Sequence, residues 1–242
     1  MWEHGRTRSR TWACPIHYNT ATHTPPLRAY IYCTCQNAAY AVFILPNRFF
    51  MRLFIGLELP SALAHALGEL RGSLPDVAWY PPESYHLTLH FVGDVTHGHF
   101  LEEMHHALSA IRAAPPSLIL TVPGLFEPAT RQGPDTLWMG CAPDPALVHL
   151  QNRIRATMTR LPSPFGRAGS GQSGAARPIR RFVPHISLGQ MRHPDPMRRQ
   201  RWLVTPPPAC DAQSIGHFTL FRSLRHGDMP FYELLEHYPL HP

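Results

Sequence analysis

Two short segments of this 242-residue chain repeat one pattern, in which an imidazole and a hydroxyl share one face of an alternating strand. The first segment, residues 85–93, reads YHLTLHFVG. Alternation with a period of two is typical of a half-buried strand, and the final glycine is typical of a strand end. We expect an apolar face and a polar face, made respectively of Tyr85, Leu87, Leu89 and Phe91 and of His86, Thr88 and His90.

The second segment, residues 182–188, reads FVPHISL. His185 and Ser187 again share one face, and the residues between and after them are apolar. The chain contains 17 His, so one His-x-Thr or His-x-Ser could arise by chance, as a histidine of no special role. Two copies, each in an apolar alternating strand, indicate a function instead.

The composition limits the class of protein and its partners. A hydrophobic fraction of 44% supports a substantial core, and the length fits one domain or two small lobes. The net charge of +6 favours an anionic partner such as nucleic acid. Five cysteines without a framework spacing argue against a disulfide scaffold. Because no apolar run is long enough to span a membrane and no signal-peptide pattern is found, we expect a cytoplasmic protein without a membrane partner.

Residues 1–50 differ in pattern from the rest of the chain. They are rich in Arg and His at first and then apolar without a clear period. Their Cys and His residues lack the spacing of a standard zinc motif. We therefore predict that residues 1–50 are an extension outside the fold, that Met51 is a credible start, and that residues 51–242 form the folded domain.

Regular patterns begin at Met51. We predict a strand from there, then a helix from Pro60 that buries Leu63, Leu67, Leu70 and Leu74, and then a turn region at 75–82. The later expected elements are helices at 100–111 and 146–161, strands at 117–122 and 136–141, a flexible loop at 162–178, an irregular connection at 191–208, and a hairpin of 215–224 with 231–238 around Gly227-Asp228.

Each half of the chain supplies one His strand among these predicted strands and helices, which indicates a duplicated unit. We predict an α+β fold of two pseudo-symmetric lobes, with mostly antiparallel sheets and flanking helices. The two His motifs are expected to face each other across a central cleft.

Two histidines across a cleft can cleave a phosphodiester by general acid–base catalysis. One neutral imidazole removes a proton from water, and the other, protonated, gives a proton to the departing oxygen. The hydroxyls of Thr88 and Ser187 can hydrogen-bond the non-bridging phosphate oxygens. This chemistry requires neither a metal nor a cofactor, and we expect none.

The segments HLTLHFVG and RRFVPHISL resemble the paired His-x-Thr-x motifs of the 2H phosphoesterase superfamily, in particular the RNA 2′,3′-cyclic phosphodiesterases of the 2′-5′ RNA ligase-like family. Three further stretches, RLFIGLELP, TLWMG and HFTLFRSL, resemble other strands of that family. The resemblance covers Met51 to Leu240. It implies a LigT-like fold and the opening of a 2′,3′-cyclic phosphate at an RNA end to a 2′-phosphomonoester.

The resemblance also implies roles for the four polar residues. His86 would be the proton donor to the O3′ leaving group, and His185 would be the proton acceptor that activates water. Thr88 and Ser187 would complete the catalytic tetrad. Ser187 replaces the commoner Thr, which keeps the hydroxyl.

Substrate-binding residues follow from the same resemblance. Phe91 matches an aromatic that stacks on the terminal base, and its alternative role is packing in the core. Arg180 matches an Arg that precedes the second motif. Because Gln190 stands where members of that family often carry a basic residue, phosphate binding is expected either to depend on Arg192, Arg180 or Arg181 or to be weaker.

Three functions remain open from the sequence. The first is hydrolysis of RNA 2′,3′-cyclic phosphate ends by a monomeric enzyme. The second is the reverse chemistry, the joining of RNA ends through a 2′-5′ linkage; the absence of Lys, and so of a nucleotidyl-transfer lysine, favours hydrolysis. The third is a non-catalytic nucleotide-binding module, which the intact His and hydroxyl pairs disfavour.

Overall fold

The order of strands and helices repeats once along the chain. The computed structural model describes residues 51–96, 98–128, 133–162, 181–226 and 229–241. Its strands are β1 (Met51–Glu58), β2 (Val77–Trp79), β3 (His86–Val95), β4 (Ser117–Leu118), β5 (Leu120–Phe126), β6 (Asp135–Cys141), β7 (His185–Met191), β8 (Gln213–Ser214), β9 (His217–His226) and β10 (Met229–Pro239). Its helices are α1 (Ser61–Gly68), α2 (Gly98–Ser109), α3 (Pro145–Arg160) and α4 (Pro196–Leu203). The sequence β1-α1-β3-α2 is thus followed by β6-α3-β7-α4.

Most of the strands form one sheet. Its order is β10-β9-β1-β3-β7-β6-β5, with β2 also paired to β7, and β4 and β8 form a separate two-stranded sheet. Every pair of strands in the described residues is antiparallel. The two repeats meet in the middle of the sheet, where β3 pairs with β7 through Leu87 and Ile186. The predicted α+β class with mostly antiparallel strands is confirmed.

The core lies between the sheet and the helices. In the first repeat, Leu53, Ile55 and Leu57 of β1 are fully buried, as are Leu63 and Leu67 of α1. In the second repeat, α3 buries Leu147, Leu150 and Ile154. These side chains recur at helical spacing, so apolar periodicity accounts for the position of each helix. None of the helices in the described ranges is long and apolar enough to cross a membrane.

The predicted extent of the first helix is wrong. α1 ends at Gly68, and Pro60 is its N-cap residue rather than its first helical residue. Leu74 is buried from a turn that follows the helix, and Gly72 in that turn has φ of +83°, which favours glycine.

Two short elements occur where the sequence predicted irregular chain. β2 lies in the predicted turn region and pairs with the end of β7. α4 lies in the predicted connection, where Asp195 caps the helix by accepting a hydrogen bond from the Arg198 amide at 2.9 Å. Trp202 is the buried residue of α4 and donates its Nε1–H to the Gly124 carbonyl at 2.9 Å. This contact fixes α4 against β5.

Several predictions concern residues outside the described ranges. They are the extension at 1–50, most of the loop at 162–178, and the Gly227-Asp228 turn. The strands on either side of that turn, β9 and β10, pair as the predicted hairpin.

Candidate active site

The central strands bring both His motifs to one face of the sheet. Because Leu87 lies opposite Ile186 in an antiparallel pair, His86 is adjacent to Ser187 across the strands, and Thr88 is adjacent to His185. The four polar residues are half-buried, whereas Leu87 and Ile186 are fully buried on the opposite face. The sheet therefore brings together the four residues that the sequence predicted, one His and one hydroxyl from each repeat.

Each imidazole is oriented by a backbone carbonyl two residues before it. Nδ1 of His86 lies 2.9 Å from the Ser84 carbonyl oxygen, and Nδ1 of His185 lies 2.7 Å from that of Val183. A carbonyl oxygen only accepts hydrogen bonds, so Nδ1 carries the hydrogen in both rings. In the neutral imidazole the lone pair is then on Nε2, which is left for a substrate.

Aromatic rings surround His86 on the side of the first repeat. Its ring centroid lies 4.7 Å from that of Phe54, 5.8 Å from that of Phe221 and 4.6 Å from that of Tyr232. Phe54 comes from β1, and the other two come from the neighbouring β9 and β10 hairpin.

His185 has a similar wall on the side of the second repeat. Phe126 of β5 packs edge-on at 4.8 Å between ring centroids, and Trp138 of β6 lies at 5.7 Å. A Cβ atom at Gly124 would overlap the ring of Trp138, so the absence of a side chain there makes room for the indole. These rings leave both imidazoles half-buried.

The aromatic walls shift the protonation equilibria of the site. Burial lowers the pKa of His86 to about 4, a hydrogen bond to the Ser84 carbonyl opposes this shift, and the positive form of nearby His185 adds to it. Burial also lowers the pKa of His185, against the opposing effect of its bond to Val183. Both imidazoles are therefore mainly neutral at pH 7. Burial raises the pKa of Tyr232 to about 12, which keeps its hydroxyl protonated.

Phe91 does not pack in the core. It is 74% exposed, and its ring lies 6.2 Å from that of Phe54, which also contacts His86. The pairing of β1 with β3 shifts register between Leu53 and Phe54 and again between Ile55 and Gly56. These irregularities break the strict alternation, so the expected common face of Phe91 with Leu87 and Leu89 is wrong.

The same irregularity separates His90 from the other polar residues of β3. Burial lowers the pKa of His90, and the positive charge of Arg155 on α3 lowers it further. His90 therefore lies near α3 and not with His86 and Thr88, contrary to the sequence-based expectation.

Gln190 belongs to a set of polar side chains that is linked to His86 through Tyr232. It hydrogen-bonds the hydroxyl of Tyr80, and Tyr80 lies close enough to Tyr232 to affect its pKa. Tyr232 in turn packs on His86. The position at which relatives carry a basic residue is thus occupied by neutral hydrogen-bonding groups.

Two of the three predicted basic residues lie in the described part of the chain, and both are exposed. Arg192 directly follows β7. Arg181 is exposed before β7, and Arg180 is outside the described residues.

Sequence reasoning missed the aromatic walls. Phe54 and Trp138 occur in the related triplets Phe-Ile-Gly of β1 and Trp-Met-Gly of β6, each on the strand next to a His strand. A search for this repeat could have identified both rings as site residues. The rings from β5, β9 and β10 leave no comparable signal.

A pseudo-symmetric antiparallel sheet with one His-x-hydroxyl pair on each central strand defines a class of two-histidine proteins. The family described as the 2′-5′ RNA ligase superfamily matches residues 59–227. The chain therefore belongs to the 2′-5′ RNA ligase superfamily, and the resemblance seen in the sequence is confirmed.

Two relatives are each named RNA 2′,3′-cyclic phosphodiesterase. The protein of Geobacillus stearothermophilus is 26% identical over 194 residues, which cover 80% of this chain and 57% of that protein. The protein of Thermotoga maritima is 24% identical over 190 residues, which cover 76% of this chain and 93% of the relative. The chain thus spans little more than half of the first relative.

Solved structures share the fold. The apo form of E. coli LigT has a TM-score of 0.58 and 23% identity, over 79% of this chain and 98% of LigT. A protein of Thermus thermophilus has a TM-score of 0.57 and 24% identity, over 78% of this chain and 97% of that protein. The predicted LigT-like fold is confirmed.

Proposed function

We propose that this protein is a metal-independent RNA 2′,3′-cyclic phosphodiesterase that leaves a 2′-phosphomonoester. The observation that carries the proposal is the repeated orientation of two imidazoles, each with Nδ1–H bonded to a backbone carbonyl and with Nε2 left for a substrate. Two relatives with this name support the substrate class. E. coli LigT, which shares the fold, has been crystallised with phosphate and with 3′-AMP.

In the proposed reaction, a water oxygen forms a bond to phosphorus while the bond from phosphorus to O3′ breaks. Nε2 of His185 accepts the proton of the water, and protonated Nε2 of His86 gives a proton to O3′. The product is a 2′-phosphomonoester with a free 3′-hydroxyl. The hydroxyls of Thr88 and Ser187 stabilise the charge on the non-bridging oxygens.

The substrate itself supplies the condition for proton donation. Because burial lowers the pKa of His86 to about 4, the free protein holds little protonated His86 at neutral pH. A bound phosphodiester carries a negative charge, and a nearby anion stabilises the imidazolium. Substrate binding therefore raises the pKa of His86, so that its imidazole carries the proton that it gives to O3′.

Neutral groups and one aromatic ring complete the proposed substrate site. Tyr80 and Gln190, which hydrogen-bond each other beside Tyr232, are the proposed hydrogen-bond donors to the phosphate. Phe91, at 74% exposure, offers a free ring face on which the terminal base can stack. The contacts of Arg192 and Arg180 with the substrate stay predictions.

The same site could also join RNA ends through a 2′-5′ linkage, if the 5′-hydroxyl of another RNA replaces water in the attack on phosphorus while the bond to O3′ breaks as before. Water is far more concentrated than RNA ends, which favours hydrolysis. The chain contains no Lys and so lacks the lysine of a nucleotidyl-transfer ligase. We therefore propose hydrolysis as the net direction. The cytoplasmic location and the monomeric state stay predictions.

The test uses an end-labelled oligoribonucleotide with a 2′,3′-cyclic phosphate, incubated with the protein and a chelator. We expect opening to the 2′-phosphate, with a loss of about 10²- to 10⁴-fold in rate for each of His86→Ala and His185→Ala. His90→Gln is the matched control, because His90 belongs to the same strand but lies near α3. Product with a 3′-phosphate would refute the assignment of the leaving oxygen.

The binding-module alternative gives a different result. If the intact protein opens no cyclic phosphate but binds nucleoside monophosphates, and His185→Ala lowers that affinity only modestly, the site binds without catalysis. Activity abolished by the chelator would refute the metal-independent mechanism.

A further inference from the structure

Three neighbouring strands at one side of the sheet bring two imidazoles and a carboxylate together. Thr219 of β9 lies opposite Gly56 of β1 and opposite His237 of β10. Glu58 is two residues from Gly56, and His217 is two residues from Thr219, so their side chains point to the same face of the sheet. The side chains of Glu58, His217 and His237 converge beside Thr219.

The ligand-type atoms of this cluster are close to one another. Oε1 of Glu58 lies 3.2 Å from Nε2 of His217 and 3.0 Å from Nε2 of His237. The two imidazole rings are stacked, with centroids 4.4 Å apart and planes inclined by 14°. One atom from each residue lies within 4.8 Å of the other two. The cluster therefore has the inner dimensions of a coordination site.

We propose that Glu58, His217 and His237 bind a divalent transition-metal ion such as Zn²⁺. A tetrahedral zinc ion with bonds of about 2.0–2.1 Å separates its donor atoms by about 3.3 Å. The observed N to O distances of 3.0 and 3.2 Å are close to this spacing, and the three donor atoms all lie within 4.8 Å of one another. Three protein ligands leave a fourth position for water.

A buried hydroxyl supports the carboxylate. Thr219 is fully buried and donates a hydrogen bond to Oε1 of Glu58 at 2.6 Å. Outer contacts of this kind fix the orientation of a metal ligand and raise affinity. The side chains of Glu58, His217 and His237 are 36%, 37% and 45% exposed, which leaves a path for an ion from solvent.

The site is separate from the two-histidine chemistry. Glu58 pairs with His86 in the β1–β3 register, so the cluster borders the two-histidine site, but it contains none of the four proposed catalytic residues. An ion would join β1, β9 and β10, three neighbouring strands of the sheet. Its expected role is to hold these strands together, and opening of the cyclic phosphate does not require it.

The test is metal binding by the full chain, measured by calorimetry with Zn²⁺ and by the absorption spectrum with Co²⁺. We expect one equivalent of metal ion to bind, with nitrogen and oxygen ligands. The Co²⁺ spectrum should therefore lack the charge-transfer band of a thiolate ligand, which distinguishes this site from the cysteines of residues 1–50. His237→Ala and Glu58→Gln should each lower the affinity for this metal ion by about 10²-fold or more. Bound Zn²⁺ should raise the Tm of the intact protein by roughly 5 °C at 100-fold excess over Kd.

The control is His99→Ala, which removes an exposed imidazole 3.0 Å from Glu103 and should leave binding unchanged. His237→Gln is a second variant that keeps a side chain of similar size, and circular dichroism confirms folding. No binding up to millimolar Zn²⁺, or equal binding by parent and His237→Ala, would overturn the proposal. Ring opening in chelator is measured in parallel, so failure of the metal site and failure of the phosphodiesterase are distinguishable.

Discussion

The acidity of the two imidazoles makes pH the most informative perturbation of this protein. In the proposed mechanism the pair must hold one proton, because one ring accepts a proton and the other donates one. Burial lowers the pKa of His86 to about 4 and lowers that of His185 below 6.5. The singly protonated pair is therefore most populated in the free protein on the acid side of pH 6.5.

The sign and size of the effect follow from these values. A group with a lowered pKa loses its proton as the pH rises through that lowered value, so kcat/KM should fall with rising pH in the neutral range. Above the higher of the two pKa values the decline is tenfold per pH unit. With that value below 6.5, kcat/KM at pH 8 is expected to be roughly 3% of its maximum or less.

The bound complex should behave differently. A negative charge about 4 Å from an imidazole is worth on the order of 4 kcal/mol near a protein surface, which corresponds to as much as about three pH units. The basic limb of kcat should therefore lie at higher pH than the basic limb of kcat/KM, by about one unit or more.

The assay is the initial rate of ring opening from about pH 4.5 to 8.5 at constant ionic strength. A uridine-terminated substrate avoids titration of the terminal base, and circular dichroism at each pH confirms that the protein is folded. A kcat/KM that is level or rises between pH 6.5 and 8.5 would refute the argument, because it would mean that the free imidazoles keep ordinary or raised pKa values.

Three further variants test the site and its support. Gln190→Arg should lower KM by roughly tenfold, since a charged hydrogen-bond donor is worth about 1.5–3 kcal/mol, and an unchanged KM would mean that Gln190 does not face the phosphate. Gly124→Ala should lower the free energy of unfolding in urea by about 1–3 kcal/mol through overlap with Trp138, whereas Gly98→Ala, which meets nothing within 4 Å, should not. Asp135→Asn breaks the bidentate contact of a fully buried carboxylate with Arg199 and should lower the free energy of unfolding by about 3 kcal/mol. The control is Asp94→Asn in the exposed pair with Arg52, which should lower it by less than about 1 kcal/mol. Equal losses would contradict this expectation.

The position of the two His and hydroxyl pairs could be predicted from the sequence because its signal is local. In each motif the His and the hydroxyl are two residues apart, and apolar neighbours fix which side of the strand is buried. Leu87 and Ile186 are fully buried and lie opposite each other, so their burial sets the face of the polar residues. Such a pattern requires no knowledge of distant contacts.

The remaining features depend on contacts between distant parts of the chain. The register shifts of β3 against β1 move Phe91 to the exposed side and His90 towards α3, and nothing in YHLTLHFVG shows where a strand changes register. β2 has three residues, too few for a period to be recognised. α4 buries only Trp202 and leaves its other apolar residues, Met197 and Leu203, exposed, so its place depends on one buried indole and a capping aspartate.

The position of Phe91 gives a prediction that separates binding from chemistry. Its ring is 74% exposed in the protein without substrate, so its removal should not change the urea concentration at half-unfolding. Stacking of a base on an aromatic ring is worth about 1–3 kcal/mol, so Phe91→Ala should raise KM by roughly 5- to 150-fold. Because the ring touches the base and not the phosphate, kcat should stay the same.

The matched control for Phe91→Ala is Phe231→Ala. Phe231 is 57% exposed, and it precedes Tyr232, which faces His86, so Phe231 points to the opposite side of β10. Its removal should leave both KM and kcat unchanged. The effect of Phe91→Ala should be larger for a purine at the RNA end than for a pyrimidine, since the larger base stacks over more area. If Phe91→Ala instead lowers stability and leaves KM unchanged for both bases, the ring supports the fold and does not bind the terminal base.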